Sequence, residues 1–159
     1  VDLEYNIMQI GFMSGIVGTS VATLSALGSG LLIKKVGRNA TLVIQGTVNI
    51  MAALYFWNLS RMDPSLLLIY GGICLLWGAY GSSSVIIYTT SMDLARPGAS
   101  GTDFTFQIVI THLSSLIVAV NSGKVADMIG YTGLFGAEAV LGVLTLIIII
   151  FAMPKKQTT

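Results

Sequence analysis

Long runs without charge alternate with short polar segments along this chain of 159 residues. A transmembrane helix needs roughly 20 predominantly apolar residues. No Asp, Glu, Lys or Arg occurs in 5–33, 39–60, 64–92 or 104–123, and the run 132–153 contains only Glu138. An open sheet is excluded because lipid would leave its edge amides without hydrogen bonds. The pattern predicts five transmembrane helices, at about 9–33, 40–59, 66–90, 104–124 and 132–153.

Composition supports this all-α prediction of a polytopic membrane helix bundle. Charged residues make up 9% of the chain and hydrophobic residues 54%, whereas a soluble domain carries about 25% charged residues. The lipid bilayer is therefore the expected surrounding. A net charge of +1 gives no reason to expect a nucleic-acid partner, and a single cysteine, Cys74, excludes a disulfide or metal framework. We expect no bound cofactor.

The positive charges predict an orientation. Cytoplasmic loops of membrane proteins carry an excess of Lys and Arg. With residue 1 outside, only Arg61 and Lys124 face out, and the inner segments hold six positive residues: Lys34, Lys35, Arg38, Arg96, Lys155 and Lys156. The bias places the C-terminus in the cytoplasm, and the cell membrane is the expected location.

An internal repeat links the ends of the first and fourth predicted helices. Residues 29–39 read SGLLIKKVGRN and residues 122–132 read SGKVADMIGYT. Gly30 and Gly37 thereby match Gly123 and Gly130, with an offset of 93 positions in both cases. Because the copies would face opposite sides of the membrane, the repeat indicates inverted topology, a common construction of secondary transporters.

The offset pairs the first helix with the fourth and the second with the fifth. The third helix, 66–90, then needs a counterpart before residue 1. The sequence therefore predicts that residues 1–159 are the C-terminal portion of a longer transporter domain, with an N-terminal half and one further helix missing.

The first repeat copy, Gly30-Leu-Leu-Ile-Lys-Lys-Val-Gly37-Arg38, resembles a loop signature of the major facilitator superfamily. Lys34 stands where that signature has Asp, whereas the second copy keeps an acid there, Asp127. The resemblance implies helices 8 to 12 of a twelve-helix fold built from inverted repeats.

The segment MDLARPGASGTDFTFQ (92–107) narrows the resemblance. It is similar to the RhtX/FptX group of siderophore permeases, which are related to the AmpG muropeptide permeases and the acetyl-CoA transporters. This implies proton-coupled transport of a siderophore or a similar amphipathic small-molecule solute across a bacterial inner membrane. In this family the first, third and fourth helices of the chain would line the cavity.

Polar side chains recur along 104–124 at spacings of three, four and seven, which place residues on shared faces of a helix. A solute path is the preferred interpretation, and interhelical hydrogen bonding is the alternative. His112 is the candidate proton carrier because its ordinary pKa lies near neutral, although a neutral hydrogen-bonding role stays open. The cavity candidates on this helix are Gln107, Thr111, His112 and Ser115.

Three further cavity candidates lie on helix 66–90: Trp77, Ser84 and Tyr88. Aromatic faces with a polar tip suit a large amphipathic solute, while Tyr88 could equally be an interfacial belt residue. On the first two helices we expect packing instead, through small residues such as Gly18 and Ala22 and through hydrogen bonds from Gln45 and Asn49.

Charged residues at the predicted helix ends are candidates for a gate. Asp93 and Arg96 could pair or contact the missing half, and Thr102 or Asp103 could cap the next helix. The full set of gate and loop candidates is Lys34, Lys35, Arg38, Asp93, Arg96, Asp103 and Asp127.

No constellation of residues typical of an enzyme occurs, because paired carboxylates, metal-spaced His or Cys residues and a phosphate-binding loop are all missing. We expect the protein not to be an enzyme. Two alternatives within the family are a muropeptide and an acetyl-CoA permease. An alternative of another class is a small membrane scaffold or assembly subunit, and a membrane enzyme would need a catalytic group from elsewhere.

Overall fold

The computed structural model describes residues 8, 11–62 and 64–152. Helix α1 runs over Phe12–Val36 and begins with a π-helical segment, Phe12–Gly18. Helix α2 is Arg38–Leu59, α3 is Leu66–Leu94 and α4 is Ser100–Ala152. Four parts of the sequence predictions lie outside the described residues: the start of the first predicted helix at 9, the last residue of the fifth at 153, and Lys155 and Lys156.

The prediction of five separate helices is wrong for the described part of the chain, which has four helices long and apolar enough to cross a membrane. The fourth and fifth predicted helices form the 53-residue α4 without a loop between them. At 1.5 Å per residue, such a helix would extend about 80 Å, far beyond a hydrocarbon core of about 30 Å. However, Gly130 adopts φ 72° and ψ 167° inside α4, which is not a helical conformation. We call 100–129 the first arm and 131–152 the second arm.

The two matched glycines of the repeat share one backbone conformation. Gly37 lies between α1 and α2 with φ 84° and ψ 166°, close to the values of Gly130. This region of φ/ψ space is essentially restricted to glycine because a Cβ would clash there. Gly37 thus joins α1 to α2, and Gly130 joins the two arms of α4, in both cases through a single non-helical residue.

Helices α1 and α3 pack closely and run parallel. A Cβ at Gly18 would lie 2.6 Å from Trp77 Nε1, and one at Gly81 would lie 2.8 Å from the Cα of Ala22. Further along both helices, Ser29 Oγ donates to the Ser82 carbonyl over 3.2 Å. The predicted packing role of small residues on the first helix is confirmed at Gly18, Ala22 and Ser29. It is not confirmed at Gly11 and Gly15 of the same predicted face, where an added Cβ would meet nothing within 4 Å.

Helix α2 lies between α3 and the second arm, antiparallel to both. On the second-arm side, Phe56 stacks on Phe135 at 5.4 Å between ring centroids. A Cβ at Gly142 would lie 3.0 Å from Ile50 Cγ1, and one at Gly46 2.7 Å from Leu146 Cδ1. The second arm is thus held by α2, whereas the first arm contacts α3 near its own start, at Phe104 and Gln107.

Candidate functional site

A polar network crosses the middle of the packed helices. The amide nitrogen of Gln45 donates to the Ala79 carbonyl at 2.9 Å and to Ser83 Oγ at 3.0 Å. Asn49 Nδ2 donates to the same Ser83 hydroxyl at 3.2 Å. Gln45 is only 7% exposed, so its hydrogen bonds replace those with water. The predicted role of Gln45 and Asn49 in the bundle is confirmed, and their partners all lie on α3.

A cleft of about 340 Å³ opens between α1, α2 and α3 beside this network. Its polar lining includes Ser25, Ser29, Gln45 and Ser82, and Cys74 lies in its wall. None of these residues was a candidate for the site in the sequence. Their polar atoms are isolated within apolar runs, so only the packing of three helices brings them together.

The predicted cavity residues of α3 have different surroundings. Trp77 is half-buried against Gly18 and makes an edge contact with Tyr80 at 6.0 Å. Ser84 Oγ donates to the Tyr80 carbonyl of its own helix. Tyr88 is 40% exposed, and its ring meets Phe104 of the first arm at 6.4 Å. Trp77 is thus mainly a packing residue in this arrangement, whereas Tyr88 faces α4.

The predicted polar stripe lies on the first arm and largely points back to its own helix. Thr111 Oγ1 donates to the Gln107 carbonyl and Ser115 Oγ to the Thr111 carbonyl. His112 is exposed. Gln107 makes a contact with α3, a 3.4 Å hydrogen bond from Nε2 to the Ser91 carbonyl. The structure therefore brings Gln107 and Tyr88 near the same end of α3, while His112 and Ser115 lie on the part of the arm that α3 does not cover.

Two ion pairs connect the loop candidates at that same end. Arg38 at the start of α2 pairs with Asp93 near the end of α3. Arg96 binds Asp103 through two guanidinium bonds of 2.8 Å each, and its backbone nitrogen donates to Asp103 Oδ2 at 3.0 Å. The hydrogen bonds and the charge of Asp103 raise the pKa of the Arg96 guanidinium. Among the described residues, Asp93 and Arg96 do not pair with each other. This corrects the interpretation that these two residues form an ion pair.

The helix start also differs from the expectation. Helix α4 begins at Ser100, so Thr102 and Asp103 lie inside its first turn and neither is the cap. Asp103 still has the favourable position for a negative charge near a helix N-terminus. Its carboxylate instead fixes the loop by binding the main chain and the side chain of Arg96.

The remaining gate candidates are separate from these pairs. Lys34 and Lys35 are exposed in the last turn of α1. Asp127 is exposed on the first arm, 24 positions beyond Asp103, or about 36 Å at 1.5 Å per residue. Across residues 8, 11–62 and 64–152, no three His, Cys, Asp or Glu side chains come close enough to hold a metal ion.

Comparisons with known proteins agree with this geometry at a coarse level. The four apolar helices indicate an integral membrane protein. The chain is 24% identical over 157 residues to the putative transporter AmpG 4 of Rickettsia felis, covering 98% of this chain and 37% of that protein. It thus spans little more than a third of the length of this relative. No family model matches the chain, and no solved structure matches it. The chain is accordingly similar to a putative transporter over nearly all of its length.

Proposed function

We propose that the chain forms part of a secondary active transporter of the major facilitator type, which moves an amphipathic solute across the inner membrane by alternating access. In this proposal it supplies helices 8 to 12, and the remaining helices come from a longer chain. The similarity to AmpG 4 supports this, because that protein is nearly three times as long as the segment matched here.

The observation that carries the proposal is the geometry of the repeat. Gly37 and Gly130 join their helices in nearly the same conformation, 93 positions apart. The packing of α2 on the second arm also fits this offset. Gly46 contacts Leu146. Under the offset of 93 positions, Gly46 corresponds to Ala139 and Leu146 corresponds to Ala53, and both alanines are buried, with 8% and 5% exposure. An antiparallel pair that maps onto itself supports inverted repeats, as expected for a rocking transporter.

The solute path in this proposal lies between α3 and the first arm. These helices meet near Tyr88 and Gln107, and the arm beyond that point is exposed. The missing half would face this opening, with Thr111, Ser115 and Ser84 along the path. Trp77 packs on Gly18 of α1 in this arrangement, so its part in the path requires that contact to open. His112 is the proposed proton carrier because it is an exposed ionisable residue on the same arm.

The ion pairs at the inner end form the proposed gate. Arg38–Asp93 ties α2 to α3, and Arg96–Asp103 ties the α3–α4 loop to the first arm. Lys34 and Lys35 are nearby in sequence and would contact the missing half, whereas Asp127 belongs to the opposite end. Ion pairs near the surface contribute little to stability because water screens them, so these pairs can break and re-form as the gate moves.

The first candidate for the solute is a siderophore, on the resemblance of residues 92–107. The second is a muropeptide. It is favoured by the similarity to AmpG 4, which extends over 157 residues, whereas the siderophore resemblance covers only sixteen. Growth of a deletion strain on a panel of iron chelates, beside uptake of a labelled muropeptide, separates the two. Failure of the full-length protein to restore either uptake would remove both candidates.

Two substitutions test the path in the full-length protein. His112→Ala should abolish proton-coupled uptake while membrane insertion is retained, and unchanged coupling would refute the proton role. Trp77→Ala should weaken uptake, although the contact with Gly18 means that folded amounts must be measured in parallel. Uptake at the wild-type affinity and rate would remove Trp77 from the site.

A further inference from the structure

Glu138 places a carboxyl group inside the otherwise charge-free run 132–153. It lies eight residues beyond Gly130, about 12 Å along the second arm at 1.5 Å per residue. The side of the arm next to it packs on α2 through Ala139 and Gly142. Glu138 itself is exposed among the described residues. A charged side chain at such a depth in lipid costs several kcal/mol unless it has a partner, so this position requires an explanation.

The repeat gives Glu138 a counterpart whose surroundings are known. Gln45 lies eight residues beyond Gly37, as Glu138 does beyond Gly130, and the two are separated by the same offset of 93. The following residues, Gly46 and Ala139, both belong to the packed face between α2 and the second arm. The two side chains therefore occupy equivalent places on equivalent helices.

The hydrogen bonds of Gln45 show which donors and acceptors surround this position. Its amide nitrogen donates to the Ala79 carbonyl, which can only accept, and to the Ser83 hydroxyl. A carboxylate in the same surroundings could accept from a hydroxyl but would face a carbonyl oxygen without any proton to donate. A protonated carboxyl group has one O–H and can therefore make the bond that the glutamine makes.

We propose that Glu138 is held in the membrane as the neutral carboxylic acid and donates its proton to a backbone carbonyl of a further transmembrane helix of the same protein. By the symmetry of the repeat, that helix corresponds to α3 and presents a backbone carbonyl beside a small hydroxyl residue. This rests on the inverted repeats of the proposed function. The relative matched here has room for such a helix, because this chain covers 37% of its length.

The charged and titratable groups of the neighbouring helix leave Glu138 without an ionic partner. Helix α2 is the element packed against the second arm, and it carries Arg38 and Tyr55, with Arg61 just beyond its end. Arg38 pairs with Asp93, and the Tyr55 hydroxyl donates to the Leu68 carbonyl at 2.8 Å. The Arg61 guanidinium lies 4.1 Å over the ring of Trp57. Across the described part of the chain, none of these groups binds Glu138.

Infrared difference spectroscopy on the full-length protein in lipid tests the protonation state. The carbonyl stretch of a carboxylic acid is separate from the carboxylate bands, so wild type minus Glu138→Gln should show one acid band at neutral pH, where a water-exposed glutamate is ionised. Asp127→Asn is the matched control, because Asp127 is exposed near the end of its arm and should contribute a carboxylate band instead. A carboxylate band from Glu138 would overturn the proposal.

Labelling with dicyclohexylcarbodiimide in membrane vesicles gives a second readout. The acid O–H adds across one C=N bond of the reagent, the oxygen bonds to the central carbon, the proton moves to nitrogen, and the acyl group then migrates to nitrogen as a stable adduct. We expect at least tenfold more adduct at Glu138 than at Asp127. Equal labelling, together with a thermal midpoint lowered by Glu138→Gln, would indicate an ion pair and overturn the proposal. Neither readout measures transport, so a failure of the proposed solute leaves this result intact.

Discussion

The packed helices and the first arm of α4 use their polar side chains differently. In the packed region, Gln45 and Ser29 donate across to another helix. On the first arm, Thr111, Ser115 and Asn121 each donate to the carbonyl four residues back along their own helix. Bonds of the first kind fix one helix against another, whereas bonds of the second kind leave the arm free to meet something else.

Glycine marks the same difference. Gly81 allows the backbone of α1 to approach α3, while an added Cβ at Gly123 of the first arm would meet nothing within 4 Å. In lipid there is little hydrophobic drive for helices to associate, so close contact through small residues and interhelical hydrogen bonds hold them together. Among the described residues, the packed region has both, whereas the first arm has one long hydrogen bond to α3, from Gln107 to the Ser91 carbonyl near its start. This difference predicts that stability resides in the packed region and the accessible polar surface on the arm.

The largest effect should come from filling the closest helix contact. Gly81→Leu places a side chain where the Ala22 backbone lies, and overpacking typically costs about 1–3 kcal/mol, more when backbone must move. We expect a loss of at least about 3 kcal/mol in the free energy of unfolding, measured by denaturant titration of the full chain in detergent micelles. Gly123→Leu is the matched control, with a change below about 0.5 kcal/mol. Equal effects of the two substitutions would break the contrast between the regions.

A moderate effect should follow from removing the buried amide. Gln45→Leu leaves the Ser83 hydroxyl without that donor and removes the bond to the Ala79 carbonyl. Interhelical hydrogen bonds in membranes contribute about 0.6–2 kcal/mol, and we expect a loss of this size in the same titration. A double-mutant cycle with Ser83→Ala should show coupling. Gln107→Leu, which loses one 3.4 Å bond to the Ser91 carbonyl, is the control and should cost less.

The contrast also explains which parts could be read from the sequence. The charge-free runs predict α2 almost correctly: the predicted range is 40–59 and the observed helix is Arg38–Leu59. The prediction works because a segment in lipid must satisfy its backbone hydrogen bonds within the helix. The fourth and fifth helices were predicted to be separated by residues 125–131, but only Gly130 is non-helical there. The repeat matched Gly130 with Gly37, although the residues around Gly130 do not distinguish it from the helical Gly123.

Contacts between helices were harder to predict from the sequence. Arg38 with Asp93, and Arg96 with Asp103, depend on how helix ends meet. The sequence suggested only that Asp93 and Arg96 pair with each other or contact the missing half. The polar cleft at Ser25, Ser29 and Ser82 was missed for the same reason, because each serine alone resembles any serine that bonds back to its own helix. The internal repeat was the more informative signal, since it relates distant residues such as Gln45 and Glu138.

The smallest effect on stability should be found on the first arm. Ser115→Ala removes a bond to the Thr111 carbonyl on a surface that is exposed among the described residues. Such a hydroxyl satisfies a group that is already bonded in the helix, so the free energy of unfolding should change by less than about 0.5 kcal/mol. Ser29→Ala is the matched control, because its hydroxyl is buried and reaches the Ser82 carbonyl of α3, and it should cost more. If Ser115→Ala destabilised the full-length protein as much as Ser29→Ala, the arm would be packed against the remaining helices and its polar stripe would be structural. Near-zero cost with reduced uptake would instead assign the stripe to the solute path.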